Sequence, residues 1–269
     1  MNSQTLIGED NAAALITHHG AQIHSWRTAD GVERLFLSRT ASHQPGNSIR
    51  GGVPIIFPQF GGAGPLRHGF ARTMDLSLVG ASKAHASYEL SSSDQTLQRW
   101  PHAFQLRYEI RLLHDRLSMT LEVENTGSDP LSFTGALHTY LRVANLDEAF
   151  VQGLKDRPFV DEVTEMHHID FEPTLKFDGL IDRLYPDAAA HAALVHTGFG
   201  DIEVVSEGFK DVVLWNPGQT AAEALTDLHP GGYQCFVCVE SAIVQTPAVV
   251  EQGEKWRGSQ TLILRDSHP

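Results

Sequence analysis

Three stretches of this chain carry residue types able to move protons or hold an anion. In Phe133-Thr-Gly-Ala-Leu-His-Thr-Tyr-Leu-Arg-Val, an extended backbone sends Leu137, Thr139, Leu141 and Val143 to one side and His138, Tyr140 and Arg142 to the other. An imidazole with an ordinary pKa near ~6.5 exchanges protons at neutral pH, so His138 is a candidate acid. The alternative is a histidine on a solvated sheet face. In Tyr233-Gln-Cys-Phe-Val-Cys-Val-Glu, Phe236, Cys238 and Glu240 share a face. A lone carboxylate ending so apolar a strand is partly desolvated, which raises its pKa and strengthens it as a base. The alternative is a strand-end glutamate in water.

The third stretch is Arg67-His-Gly-Phe-Ala-Arg. If it is extended, His68 and Arg72 face one side. Arg50 arrives from a separate segment beside Gly51 and Gly52, where missing side chains would let a ligand approach the backbone. Guanidinium groups hold phosphate through paired charged hydrogen bonds, so Arg50, Arg67, His68 and Arg72 suit a phosphate or a polyhydroxylated anion. Against this stands a set of solvated loop charges. Asp182 is a further candidate, accepting hydrogen bonds from sugar hydroxyls, unless it merely pairs with the adjacent Arg183. Trp100, Trp215 and Trp256 are either stacking platforms or core.

Metal and redox chemistry find little support. Cys235 and Cys238 are separated by an odd number of positions, which on a strand sends their sulfurs to opposite faces and suits neither a redox pair nor a zinc knuckle. The histidine pairs at 18–19 and 167–168 lack metal-site spacing. No metal and no cofactor is expected.

The elements that must position these residues read as strands. Phe104, Leu106, Tyr108, Ile110 and Leu112 alternate with polar residues, as do Leu117, Met119, Leu121 and Val123, which predicts a long hairpin turning at His114 and Asp115. Further strands are expected at 13–18, 21–27, 74–80, 84–90, 131–143, 201–206, 210–216, 233–240 and 260–265, separated by turn signals such as Asn125-Thr-Gly and Pro230-Gly-Gly. One short helix is expected to open at Ser93 and Asp94 and to end before Pro101. Many strands without intervening helices argue for an all-β sandwich or barrel. The irregular segment 38–72, rich in Gly, Pro and Arg but carrying apolar anchors, reads as a functional loop.

Length and charge bound the rest. The chain has 269 residues, 41% of them hydrophobic, with two cysteines, which is ample for a core without disulfides. Its net charge is −13, which speaks against nucleic-acid and anionic-membrane partners. The N-terminal segment lacks a targeting pattern, and no apolar run reaches the ~20 residues of a membrane helix, so a cytoplasmic protein is expected. Of the 20 basic residues, 15 are Arg, the planar bidentate partner of phosphate.

In order along the chain, Ile49-Arg-Gly-Gly-Val-Pro, Phe57-Pro-Gln-Phe-Gly, His68-Gly-Phe-Ala-Arg, Trp100-Pro-His-Ala-Phe, Ala136-Leu-His-Thr-Tyr, Val213-Leu-Trp-Asn-Pro, Cys238-Val-Glu and Gly253-Glu-Lys-Trp resemble the glucose-6-phosphate 1-epimerase branch of the aldose 1-epimerase superfamily. The resemblance covers nearly the whole chain. It implies one galactose-mutarotase-like β-sandwich domain over 1–269, with few short helices and the sugar on the concave face of one sheet. It implies His138 as the acid at the ring oxygen and Glu240 as the base at the anomeric hydroxyl. Arg50 and Arg72 match substrate-binding positions, Asp182 a sugar-binding aspartate and His68 a sugar-contacting histidine, while Arg67 departs from the family pattern. The expected activity is anomer exchange of a hexose 6-phosphate by a monomer. The alternatives are an aldose 1-epimerase acting on unphosphorylated sugars, and a non-catalytic carbohydrate-binding sandwich.

Overall fold

Alternation becomes strand where it was read. Phe104–Leu113 and Arg116–Asn125 pair antiparallel, with Leu106 opposite Val123 and Tyr108 opposite Leu121. Their apolar residues are buried and the intervening Arg107, Glu109 and Glu122 face outward. The computed structural model describes residues 2–62, 67–189 and 193–265. Strand accounts for 51% and helix for 7% of the structure. Among the described residues no helix is long and apolar enough to cross a membrane.

The hairpin lies in a nine-stranded antiparallel sheet, and an eight-stranded sheet packs against it. Between them lies one large apolar cluster, fed from one side by Leu106, Tyr108 and Leu121 and from the other by Leu137, Val237 and Val239. A three-stranded sheet, Ser3–Ile7, Ala13–Thr17 and Ile23–Arg27, contributes Leu6, Ile16 and Trp26 to the same core. The short helix Asp94–Leu97 starts on a Ser93 capping box, as its sequence requires.

The second face of the eight-stranded sheet positions the site. Its central strands run in the order Ile181–Tyr185, Asp211–Asn216, Phe236–Val250 and Leu131–Leu137. On that face two small apolar clusters, one with Phe36, Tyr140 and Phe236 and one with Ile56, Leu184 and Val213, flank a polar strip.

Two expectations change. The strand expected at 131–143 is broken into Leu131–Leu137 and Tyr140–Arg142, because the His138 N–H bonds to Pro54 O at 3.0 Å and the Tyr140 N–H to Gly52 O at 2.9 Å. The strand expected at 233–240 begins after a tight turn, Gly232–Cys235, and continues from Phe236 to Val250. Glu240 therefore sits well inside a strand, which deepens its desolvation. Short strands between 150 and 196, such as Phe150–Gln152 and Ile181–Tyr185, were not legible, because three to five residues give too little alternation to recognise.

Candidate active site

Strand register places the acid and base candidates side by side. Leu137 pairs with Ser241 and Val213 with Glu240, so the chain leaving Leu137 sets His138 next to Glu240. His138 Nε2 lies 3.2 Å from Glu240 Oε1. Both are buried, at 7% and 2% exposure, which settles each residue against its solvated alternative. Behind them a polar network crosses to the other sheet. Thr139 donates to Gln260, Gln260 Nε2 donates to Ser241 Oγ at 2.8 Å, and Ser241 Oγ meets Ser206 Oγ at 2.5 Å. Thr139, Gln260 and Ser241 are buried, and this mutually satisfied network holds the backbone under the pair in one arrangement.

Burial dominates the electrostatics of this pair. It holds the His138 pKa well below the ordinary value, with His68, Arg50 and Arg72 adding to the effect. It pushes Glu240 well above the carboxylate range, as does Asp182, while Arg72 opposes it. His138 Nδ1 and Glu240 Oε2 have no partner among the described residues. A buried carboxylate oxygen is costly to leave unpaired, and here it stands ready to accept a hydroxyl.

Tyr140 stacks on the His138 ring, centroids 4.8 Å apart and planes 8° from parallel, and Trp215 meets that ring edge-on at 5.9 Å. Arg50 donates from Nε to Asp227 at 3.2 Å and from a terminal nitrogen to the Tyr140 hydroxyl at 3.0 Å. Burial works against its charge, but the Tyr140 and Asp227 oxygens outweigh it and hold Arg50 firmly protonated. Arg72 is anchored by one bond to Arg67 O at 3.1 Å, and its buried Nε has no partner among the described residues. Burial, with Arg50 and Arg67 nearby, lowers its pKa to about 10. Two guanidinium groups with unused donors form a cationic wall beside the pair, a chemistry suited to an anion.

His68 completes that wall by a different route from the one its spacing suggested. The segment is not extended: His68 has φ +59° and Arg72 lies in the tight turn Ala71–Thr73. His68 Nδ1 accepts from the Gly61 N–H at 3.3 Å, which leaves the proton on Nε2. Burial and the neighbouring arginines pull its pKa to about 3, so it stays a neutral donor, its ring 5.9 Å from that of His138. Residues 63–66 of this loop lie outside the described residues. Arg67 is exposed at the rim.

Asp182 stands on a strand across from Trp215, two strands from Glu240. The ion-pair alternative fails, because Arg183 turns to Asp170 at 3.5 Å. Burial, then Glu162 and Asp161, raise the Asp182 pKa to about 6 against the pull of Arg67. The site therefore has a basic wall at Arg50 and Arg72 and an acidic one at Asp182.

The glycines beside Arg50 serve packing. A Cβ on Gly51 would meet Phe36 O at 2.4 Å, and one on Gly52 would meet Ile23 O at 2.0 Å, both at positive φ. They let neighbouring backbone, not a ligand, come close, and Gln22 Nε2 clamps the same segment by donating to Ile49 O and Gly51 O at 3.1 and 2.6 Å. Gly52→Ala is expected to lower unfolding stability by about 1–3 kcal/mol. Urea denaturation checks this, and an unchanged midpoint would show that the segment repacks freely.

Residues 3–262 match the family model described as aldose 1-epimerase. The chain belongs to that family. An aldose 1-epimerase relative from Cenchrus ciliaris, named "Putative glucose-6-phosphate 1-epimerase", is 35% identical over 268 residues, covering 94% of this chain and 82% of its own. One of the same name from Escherichia coli K12 is 34% identical over 232 residues, covering 83% and 77%. The crystal structure of a "putative mutarotase" from Salmonella typhimurium superposes with a TM-score of 0.87 at 29% identity, over 95% of this chain and 88% of that one. A galactose mutarotase related enzyme from Lactobacillus acidophilus shares the fold, with a TM-score of 0.81 at 14% identity, over 99% and 98%.

One residue at the candidate site of this aldose 1-epimerase family member lay beyond sequence reasoning. Asp227 grips Arg50 across 177 residues, with no local signal to mark it. Trp215 forms part of the site wall, whereas Trp100 and Trp256 pack against the main core. Cys235 lies in a turn and Cys238 is buried in the strand, both free.

Proposed function

We propose that this protein interconverts the α and β anomers of a hexose 6-phosphate, glucose 6-phosphate first among them. The observation that carries the reading is a buried histidine–glutamate pair at 3.2 Å beside two half-buried guanidinium groups with donors to spare. The names of the relatives from Cenchrus ciliaris and Escherichia coli support the same substrate.

In this reading Glu240 takes the proton of the anomeric hydroxyl while His138 gives one to the ring oxygen. The bond between the anomeric carbon and the ring oxygen breaks, and its electron pair goes to that oxygen. The hydroxyl's electrons form the aldehyde. Rotation about the first carbon–carbon bond presents the other face, and reclosure reverses both transfers. The pair starts and ends with one shared proton, so the enzyme is reset without a covalent intermediate. Burial, which disfavours charge on both partners, favours the neutral pair reached on ring opening. His68 and Asp182 supply a neutral donor and an acceptor for the hydroxyls, Arg50 and Arg72 hold the phosphate, and Arg67 at the rim guides it in. A charged sugar phosphate does not cross a bilayer, and the reading accordingly keeps the protein in the cytoplasm, acting on a small molecule.

Saturation-transfer NMR of glucose 6-phosphate tests this: anomer exchange should accelerate with added protein. The profile of kcat/KM against pH should be bell-shaped, since only a pair holding one proton can both give and take. With the His138 pKa lowered and the Glu240 pKa raised, a second proton joins only below the ordinary histidine range. The last leaves only above the ordinary carboxylate range. Exchange no faster than in buffer would refute the assignment.

A further inference from the structure

Tyr140 touches both halves of the site. Its ring lies flat against His138 at 4.8 Å and is itself seated on Phe236, centroids 5.1 Å apart. Backbone pairing with Cys238 fixes its place in the sheet. Its hydroxyl accepts from Arg50 at 3.0 Å. A phenol carries one donor as well as its acceptor lone pairs, and the Tyr140 hydrogen has no acceptor among the described residues. Arg50, a donor only, cannot accept it, and Asp227 holds the Arg50 Nε so that the guanidinium stays beside the hydroxyl.

We propose that Tyr140 is a specificity-determining residue, its hydroxyl donating to the phosphate held by Arg50 while its ring positions the His138 imidazole. This rests on the hexose 6-phosphate reading. An anion drawn to the free edge of Arg50 arrives beside an O–H with nothing else to bond. A sugar lacking the phosphate leaves that O–H idle. The ring acts on every substrate, because any tilt of His138 misdirects its proton. The hydroxyl acts only on phosphorylated ones.

Two variants separate these roles. Tyr140→Phe keeps the ring and removes the hydroxyl. The ratio of kcat/KM for glucose 6-phosphate to that for glucose should fall about tenfold or more, the worth of a hydrogen bond to a charged group, mainly through KM. Tyr140→Leu removes the ring as well and should lower kcat on both sugars. Circular dichroism and thermal melts identify any variant that has lost its fold, and Tyr140→Phe, changed by one oxygen, keeps the test available. A wild-type preference for the phosphorylated sugar that survives intact in Tyr140→Phe would overturn the assignment alone. A wild-type enzyme without that preference would overturn the hexose 6-phosphate reading and the assignment with it.

Discussion

Glu240→Gln should slow enzyme-catalysed anomer exchange by about 10²–10⁴-fold, the usual contribution of one positioned proton transfer. The amide has the shape of the carboxylate but cannot take a proton. Its effect on stability should have the opposite sign. A carboxyl whose pKa is raised on folding binds protons more tightly in the native state, so its ionisation destabilises the fold as pH climbs above the unfolded-state value. Glu240 is such a group, and the neutral amide removes that burden. The variant should melt at or above the wild-type temperature, with the gain growing from acid to neutral pH. Loss of activity with retained or increased stability marks a residue kept for chemistry at some expense to the fold. His138→Ala should lose rate on a similar scale. The double variant should be little slower than the slower single one, because either group is of limited use without the other. Exchange by Glu240→Gln within a few-fold of wild type would dismiss it as the base.

Arg72→Ala should cost about 10–100-fold in kcat/KM on glucose 6-phosphate, the range for a lost charge-assisted hydrogen bond, and much less on glucose. The site holds Arg50, Arg72 and His68 close together, and this crowding adds to burial in lowering the pKa of Arg72 to about 10 and of His68 to about 3. A dianion relieves this crowding when it binds. Inorganic phosphate should therefore raise the melting temperature of the wild type by mass action, and the effect should shrink in Arg72→Ala. Equal losses on both sugars would remove the phosphate from this wall. The −13 charge of the chain does not conflict with such a site. Net charge governs the distant field, and exposed charges are screened within about 10 Å at moderate salt. The contact donors of two half-buried arginines act at hydrogen-bond range.

The hairpin of Phe104–Leu113 and Arg116–Asn125 was legible because its alternation runs the full length of both strands. The all-β class followed from many such runs without helical periodicity. His138, Glu240, Arg50 and Arg72 could be named in advance because their motifs occur in order along the chain, whereas Asp182 lies in none of those motifs and rested on its position alone. Parity did not apply to Cys235, which lies in the turn before the strand that holds Cys238. Alternation and motif order are local properties: the side chains of one strand alternate whatever that strand pairs with.

What the tertiary structure decided is non-local. That His138 and Glu240 approach to 3.2 Å depends on the register of Leu131–Leu137 against Phe236–Val250. A one-residue slip there would turn every side chain to the other face. The break at His138, made by bonds to Pro54 and Gly52, and the turn that gathers His68 with Arg72 replaced the extended geometry that spacing suggested. The hold of Asp227 on Arg50 and the stacking of Tyr140 on His138 arise only after folding. The sequence by itself determined which residues could do the chemistry. Pairing and burial decided their separations, their protonation and the neighbours that hold them, because each depends on contacts among segments that no local pattern encodes.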